Sequence, residues 1–372
     1  MIKVAVAGLG KMGMSHLAMF RAHPEVELAA ACDSSHYLLD VLSKYTRVRT
    51  YSDYAVMLEE ADLDAVVIAT PSHLHAGMVR GALDKGLHVF CEKPFCLDDS
   101  DGAELATLAR DRGLVSQVGY HNRFVASFRE VKSLLDNGAI GEVSHVLAEA
   151  YGPVVLKPKG GTWRSRKASG GGCLYDYAAH PIDLVTWYLG EPEGIGGSRL
   201  GRIFSKEIDD QVVSTLYFSG DTTAQVSVNW SDESQRKMTT KISVWGSHGR
   251  IYADRQEIQV YLREGAPPPE GYQAGWNVRY TTDLTQPVWF YLRGEEYSAQ
   301  VANFVERINR RDLDGTNTFD TAAATDRILS MIQRDATLGP TTMARSAGNS
   351  VPAAVEKRRP LWRKPVRRRT SR

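Results

Sequence analysis

The sequence predicts an α/β chain in two parts. The first is a parallel sheet wound on both faces by helices; the second is an α+β part with a large, mostly antiparallel open sheet. Two observations predict this. In residues 1–123 short apolar runs alternate with amphipathic helical stretches, the pattern of βα units. In residues 124–340 apolar residues recur with period two in runs joined by short turns, as in antiparallel strands with one covered face. Residues 341–372 read as a basic, solvated tail.

Taken in order, Ile2 to Ala7 is a strand, followed at once by Gly8-Leu9-Gly10-Lys11-Met12-Gly13 and a helix that stops near Pro24. Gly8 permits a tight turn, Gly10 lets backbone approach a pyrophosphate, and Gly13 lets helix pack on strand. The helix N-terminus then offers N–H groups and partial positive charge to phosphates. A second strand, Val26 to Cys32, ends in Asp33, 25 residues after Gly8. An acid there accepts hydrogen bonds from the adenosine ribose and repels a 2′-phosphate. Ser34-Ser35-His36 offers no arginine for such a phosphate, so NAD is favoured over NADP.

Further strands run from Ala65 to Ala69, Leu87 to Cys91 and Val115 to Val118, with helices ending near Lys85 and spanning about Asp99 to Arg112. Ligands of such sheets bind at the carboxyl ends of strands, where Asp33, Thr70, Lys93 and Tyr120 stand. By position alone Lys93 reads as a surface lysine after a strand.

In the second part a helix from Phe128 to Asn137 leads to a long strand, Val143 to Tyr151. Alternating runs follow over Val212 to Phe218, Ala224 to Trp230, Ile242 to Trp245, Ile251 to Ala253 and Ile258 to Leu262. Helices over about Ser298 to Arg310 and Asp320 to Asp335 are expected to close this domain. An exposed apolar sheet face, suggested by Trp230 and Trp245, would mark a subunit contact and a homodimer or homotetramer.

Before the next feature lies Lys157 to Lys167, with five basic residues and no acid, a loop suited to an anionic substrate or simply to water. Gly170-Gly171-Gly172 then precedes Asp176, His180 and Asp183. Spacings of four and three put these side chains on one helix face. A carboxylate one turn from an imidazole is a device for tuning a base near neutral pH, although Pro181 is tolerated only in a helix's first turn.

Composition bounds the partners. The chain has 372 residues, 43% hydrophobic and 24% charged, ordinary for a soluble globular protein. Lys357 to Arg372 holds nine basic residues and no acid, leaving 36 basic against 44 acidic, or −8, elsewhere. An acidic body argues against nucleic acid. No apolar run approaches about 18 residues, which predicts no membrane span. A chain beginning directly as a strand predicts no leader and a cytoplasmic place. The four cysteines show neither disulfide nor metal spacing, and no metal is expected.

With Gly8-x-Gly10-x-x-Gly13, Glu92-Lys93-Pro94 and the glycines ahead of Asp176 and His180, the sequence resembles the Gfo/Idh/MocA oxidoreductases over about residues 1–338. Trp163-Arg164 and the Gly246/Gly249 turn share the resemblance, while Ala178 replaces a glycine usual in that family. The resemblance implies an N-terminal Rossmann domain, a C-terminal α/β domain, and hydride transfer between NAD(P) and a sugar or cyclitol carbon. It makes Lys93 the expected catalytic lysine. The cofactor-binding residues implied are Gly8, Leu9, Gly10, Lys11, Met12, Gly13, Asp33, Thr70, Pro71, His75, Glu92, Lys93 and Asn122. The substrate side comprises Lys93, Tyr120, Trp163, Arg164, Asp176 and His180.

In the expected reaction on a sugar, nucleotide-linked sugar or cyclitol, His180 takes the hydroxyl proton. Asp176 orients the imidazole or binds a neighbouring hydroxyl, and Lys93 stabilises alkoxide character. Asp183 is expected to support the helix, and Tyr175 and Tyr177 to pack. Two alternatives keep the fold: an NAD-dependent glycoside hydrolase that oxidises its sugar transiently, and a non-catalytic NAD-binding regulator.

Overall fold

The structure, a computed structural model, describes residues 1–156, 163–265 and 267–339. Its first sheet comprises β1 (Ile2–Ala7), β2 (Val26–Cys32), β3 (Arg49–Tyr51), β4 (Ala65–Ile68), β5 (His88–Cys91) and β6 (Ser116–Val118). All pair in parallel, in the order β3-β2-β1-β4-β5-β6. The order reverses between β1 and β4, where such sheets open a crevice beyond their carboxyl ends. The connecting helices are α1 (Lys11–Ala22), α2 (His36–Tyr45), α3 (Tyr54–Glu60), α4 (His75–Asp84) and α5 (Asp99–Asp111).

After α6 (Ala126–Asp136) the chain enters a second sheet. Its strands are β7 (Val143–Tyr151), β8 (Gly194–Gly201), β9 (Gln211–Tyr217), β10 (Thr223–Asn229), β11 (Thr239–Gly246), β12 (Gly249–Ala253), β13 (Glu257–Leu262) and β14 (Gly275–Tyr280). The order is β14-β13-β12-β11-β7-β10-β9-β8, and only β7 and β10 run parallel. α7 (Ala179–Leu189) lies between β7 and β8; α8 (Thr281–Leu284), α9 (Glu295–Arg310) and α10 (Phe319–Leu338) end the described chain.

Alternation decides the faces of the second sheet. Val146, Ala148, Ala150, Val226, Val244 and Ile251 point inward and are fully buried in one cluster with Ile182 and Val185 of α7 and Ile328 of α10. The opposite face carries exposed Tyr217, Tyr261, Trp276, Val278 and Tyr280, and nothing among the described residues covers it. Trp245 stands on this face, half-buried against His145 and Arg250. Trp230 does not: it is fully buried against Tyr177, just past the end of β10.

One expected placement fails. Val301, Phe304 and Val305 of α9 do form a buried stripe, but they join Val4, Val6, Phe20 and Phe90 under the first sheet rather than closing the second. Arg307 fixes this return, donating to the carbonyl of Ser116 in β6 at 2.9 Å. α10 bridges the two parts, its Asp326 accepting from the Cys96 N–H at 2.8 Å. Among the described residues no helix is long and apolar enough to cross a membrane. The segments 157–162 and 340–372, which hold the first part of the basic loop and the tail, lie outside the described residues, as does the Trp163 side chain.

Candidate active site

The glycine turn after β1 is crowded on two sides and open on the third. Gly8 has φ +89°, and a Cβ there would stand 2.7 Å from the Ala69 carbonyl oxygen at the end of β4. A Cβ on Gly13 would overlap the Gly8 carbonyl. At Gly10 it would meet nothing within 4 Å. That open space lies at the N-cap of α1, where no side chain caps the helix. Crowding at Gly8 and Gly13 with room at Gly10 fits a pyrophosphate laid on the helix N-terminus. Lys11 is exposed and Met12 half-buried beside the turn.

Asp33 at the end of β2 braces this turn, accepting from the Leu9 N–H at 2.6 Å and the Ser35 N–H at 2.8 Å. The carboxylate stays partly open, with acceptor capacity left for a ribose hydroxyl. The Leu9 side chain itself is core. Thr70 and Pro71 are half-buried at the end of β4. His75, Asn122 and Glu92 of the expected cofactor set also turn inward. His75 is buried, its Nδ1 on the Pro94 carbonyl at 2.9 Å and Nε2 on the Thr70 carbonyl at 3.0 Å. It holds the loops after β4 and β5 together rather than facing the crevice. Asn122 is buried too, with its amide nitrogen 3.5 Å from the Thr240 hydroxyl.

Glu92, which follows β5, points back into the core. Its Oε1 lies 2.6 Å from Nε2 of His16, a fully buried residue of α1, and its Oε2 accepts the Lys93 N–H at 3.3 Å. Burial opposes its charge, but the hydrogen bond and charge of His16, with Lys93, outweigh that and lower its carboxyl. A Cβ at Gly119 would stand 3.0 Å from the Glu92 carboxylate, so glycine there makes room for it. Helix α1 is thereby tied to the strand end that carries Lys93.

Lys93 reaches the second part of the chain. Its Nζ donates to the Asp176 carbonyl oxygen at 2.7 Å and to Oδ1 at 2.9 Å. Arg164 Nε donates to the other carboxylate oxygen at 2.8 Å. Burial alone would raise the Asp176 carboxyl, but the Lys93 and Arg164 charges hold it at about 2. Asp176 therefore contacts the lysine and not the imidazole, whose orientation is the first of the two parts expected of it. The local backbone explains the carbonyl contact. Leu174–Ala178 is a π turn running into α7. Pro181, just beyond the turn, has no N–H to donate back to it, and Lys93 takes up the Asp176 carbonyl. Pro181 lies in the first turn of α7 proper, where it is tolerated.

His180 is buried, edge-on to the rings of Tyr120 and His121 at 6.3 and 5.0 Å. Its Nδ1 has no hydrogen-bond partner among the described residues. Burial, then the Lys93 and Arg255 charges, push it well below the usual imidazole range, so it is neutral at physiological pH and able to take a proton. Asp183 shares the helix face but binds Arg123 in two hydrogen bonds of 3.0 and 2.7 Å, both side chains buried. Tyr175 donates to Gln333 at 2.8 Å and Tyr177 packs on Trp230, as structural roles require.

Sequence reasoning passed over the residues that support these groups. Asp209 accepts the Leu174 N–H at 2.6 Å, and a side chain at Gly172, with φ +125°, would collide with its carboxylate. The glycine run signalled such a close approach; the identity of the approaching group came from a loop more than thirty residues away. His16, His121, Arg123 and Arg255 are long-range partners without local signal.

Residues 2–120 match the oxidoreductase family with an NAD-binding Rossmann fold, and residues 128–252 match the GFO/IDH/MocA C-terminal domain. The chain belongs to the GFO/IDH/MocA oxidoreductase family. Inositol 2-dehydrogenase 3 of Saccharopolyspora erythraea is 26% identical to this family member over 368 residues, 97% of this chain and 98% of that one. D-glucoside 3-dehydrogenase of Escherichia coli is 29% identical over 193 residues, 51% of this chain and 55% of its own length. In three dimensions, a levoglucosan dehydrogenase solved with NADH and levoglucosan matches with a TM-score of 0.80 at 20% identity, over 91% of this chain and 97% of that one. The expected parallel and mostly antiparallel sheets are both present.

Proposed function

We propose that this oxidoreductase transfers a hydride between NAD and a secondary hydroxyl carbon of a sugar, nucleotide-linked sugar or cyclitol. The observation that carries the reading is Lys93, at a carboxyl end of the parallel sheet, bonded to Asp176 one turn before a buried neutral His180. The names of the relatives, an inositol and a glucoside dehydrogenase, support the substrate class.

In this reading Gly8, Gly10, Gly13 and the start of α1 hold the pyrophosphate, and Asp33 takes the ribose hydroxyls. Its negative charge disfavours a 2′-phosphate, so NAD is preferred over NADP. The nicotinamide, when bound, supplies the hydride acceptor. Lys93 has three donors, of which Asp176 takes two. The third meets the substrate hydroxyl and stabilises it as it becomes an alkoxide. His180 takes the proton as general base. Arg164 braces Asp176 from the substrate side. Residues 1–123 then serve as the cofactor part and 124–340 as the substrate part. A second copy of the chain covers the aromatic outer sheet face, giving a homodimer or homotetramer; a monomeric mass by light scattering would reject it.

His180→Ala is expected to lower turnover about 10²–10⁴-fold while NAD still binds. Near-normal turnover in that variant, with NAD affinity retained, would remove His180 as the base.

A further inference from the structure

Behind His180 stands a buried row of groups that the expected chemistry does not use. Arg255, on the hairpin between β12 and β13, places Nη1 3.4 Å from Nε2 of His121. Its other terminal nitrogen pairs with Glu296 in the first turn of α9. His121 lies flat on Tyr297, with ring centroids 4.7 Å apart and planes at 17°, and turns its edge to His180 at 5.0 Å. His121, Tyr297 and Glu296 are all buried, and Arg255 is half-buried.

The row is built rather than incidental. Asp254 caps the hairpin, accepting from the Gln256 N–H at 2.8 Å and the Glu257 N–H at 3.1 Å, and its carbonyl is bonded by Ser127 of α6. The Arg255 carbonyl accepts from Thr281 at 2.8 Å. Glu296 curls back over Gly294, whose φ is +148° and where any Cβ would strike the carboxylate. An arginine can only donate, so the His121 nitrogen facing it must carry a lone pair. That fixes His121 as the tautomer protonated on Nδ1 and disfavours its cationic form.

We propose that Arg255 is a positioning residue for the reaction: through His121 it fixes the pose of His180 and keeps that imidazole neutral. Glu296 sets how strongly the guanidinium acts. The inference rests on His180 being the base only for its kinetic consequence. The charged and titratable groups around His180 are Lys93 after β5, Tyr120 and His121 after β6, and Arg255 on its hairpin. Behind them stand Arg293 just before α9, Glu296 and Tyr297 on α9, the Arg123–Asp183 pair, and Asp176, already bonded to Lys93 and Arg164. Of the cations near His180, Lys93 is matched by Asp176, and Arg255 by Glu296.

The test titrates His180 by NMR in the full chain labelled with ¹³C-histidine, without substrate. In Arg255→Gln it is expected to ionise on the order of one pH unit higher than in wild type. Glu296→Gln is expected to move it the other way, and Arg255→Lys to keep it near wild type. The same titration in wild type and Arg255→Gln, or an equal rise in Arg255→Lys, overturns the proposal. The acid limb of kcat/KM against pH is recorded alongside. If the NMR shift occurs and the limb stays fixed, the Arg255 inference holds and His180 falls as the base.

Discussion

At the residue scale, two carboxylates on one helix face do different work because their partners differ. Asp176 is held ionised between two cations, one of them Lys93 at the crevice. Asp183 faces the guanidinium of Arg123 in the interior, where burial pushes its carboxyl up and the arginine pulls it down. The pair is structural, so Asp183→Ala leaves a buried, unpaired arginine. It is expected to destabilise the fold by about 3–5 kcal/mol, read by denaturant unfolding, with KM for NAD unchanged in the folded fraction. A mild loss of stability with a large change in KM would place Asp183 in the site instead. The sequence showed the shared face through spacing alone. It did not show the partners, because Lys93, Arg123 and Arg164 lie 83, 60 and 12 residues away along the chain.

At the scale of elements, the π turn at Leu174–Ala178 is where local backbone and chemistry meet. Pro181 is more than a tolerated residue: it has no N–H to donate to the turn whose Asp176 carbonyl Lys93 uses. Pro181→Ala supplies a competing donor. Turnover is expected to fall about fivefold, the worth of one modest hydrogen bond, with the melting temperature near wild type. Unchanged turnover would show that this carbonyl contact has no bearing on the lysine. Most elements of the two sheets were legible, because apolar runs and period-two alternation survive wherever one face is buried. Those that were not have physical reasons. β8 (Gly194–Gly201) contains four glycines and little β-forming signal. β14 (Gly275–Tyr280) puts Trp276, Val278 and Tyr280 outward and keeps its half-buried face polar or small. β3 is only three residues long. The packing of α9 under the first sheet was hidden because an apolar stripe states that a face is buried and not against what.

At the scale of the whole molecule, the site exists only where the two parts meet. The carboxyl ends of the parallel sheet bring Asp33, Lys93 and His121, and the segment after β7 brings Arg164, Asp176 and His180. The fold buries His75, His121 and His180, each held below the ordinary imidazole range, first by burial. The folded-state pKa values lie below the unfolded value near 6.5. Unfolding therefore takes up protons below that pH, and stability falls on acidification while staying level above it. Three such groups give a slope of up to about 4 kcal/mol per pH unit between roughly pH 6 and 5, read from denaturant midpoints. A flat profile there would mean that these imidazoles are not buried neutral. The central claim, that Lys93 acts at a hydride-transfer site for a polyhydroxylated substrate, is tested most directly by NADH absorbance. Wild type and Lys93→Met are assayed with NAD against inositols, free sugars and nucleotide sugars. The account predicts NADH formation by wild type with at least one of them, and a rate at least about 100-fold lower in Lys93→Met with NAD affinity preserved. Equal rates in the two proteins would contradict it.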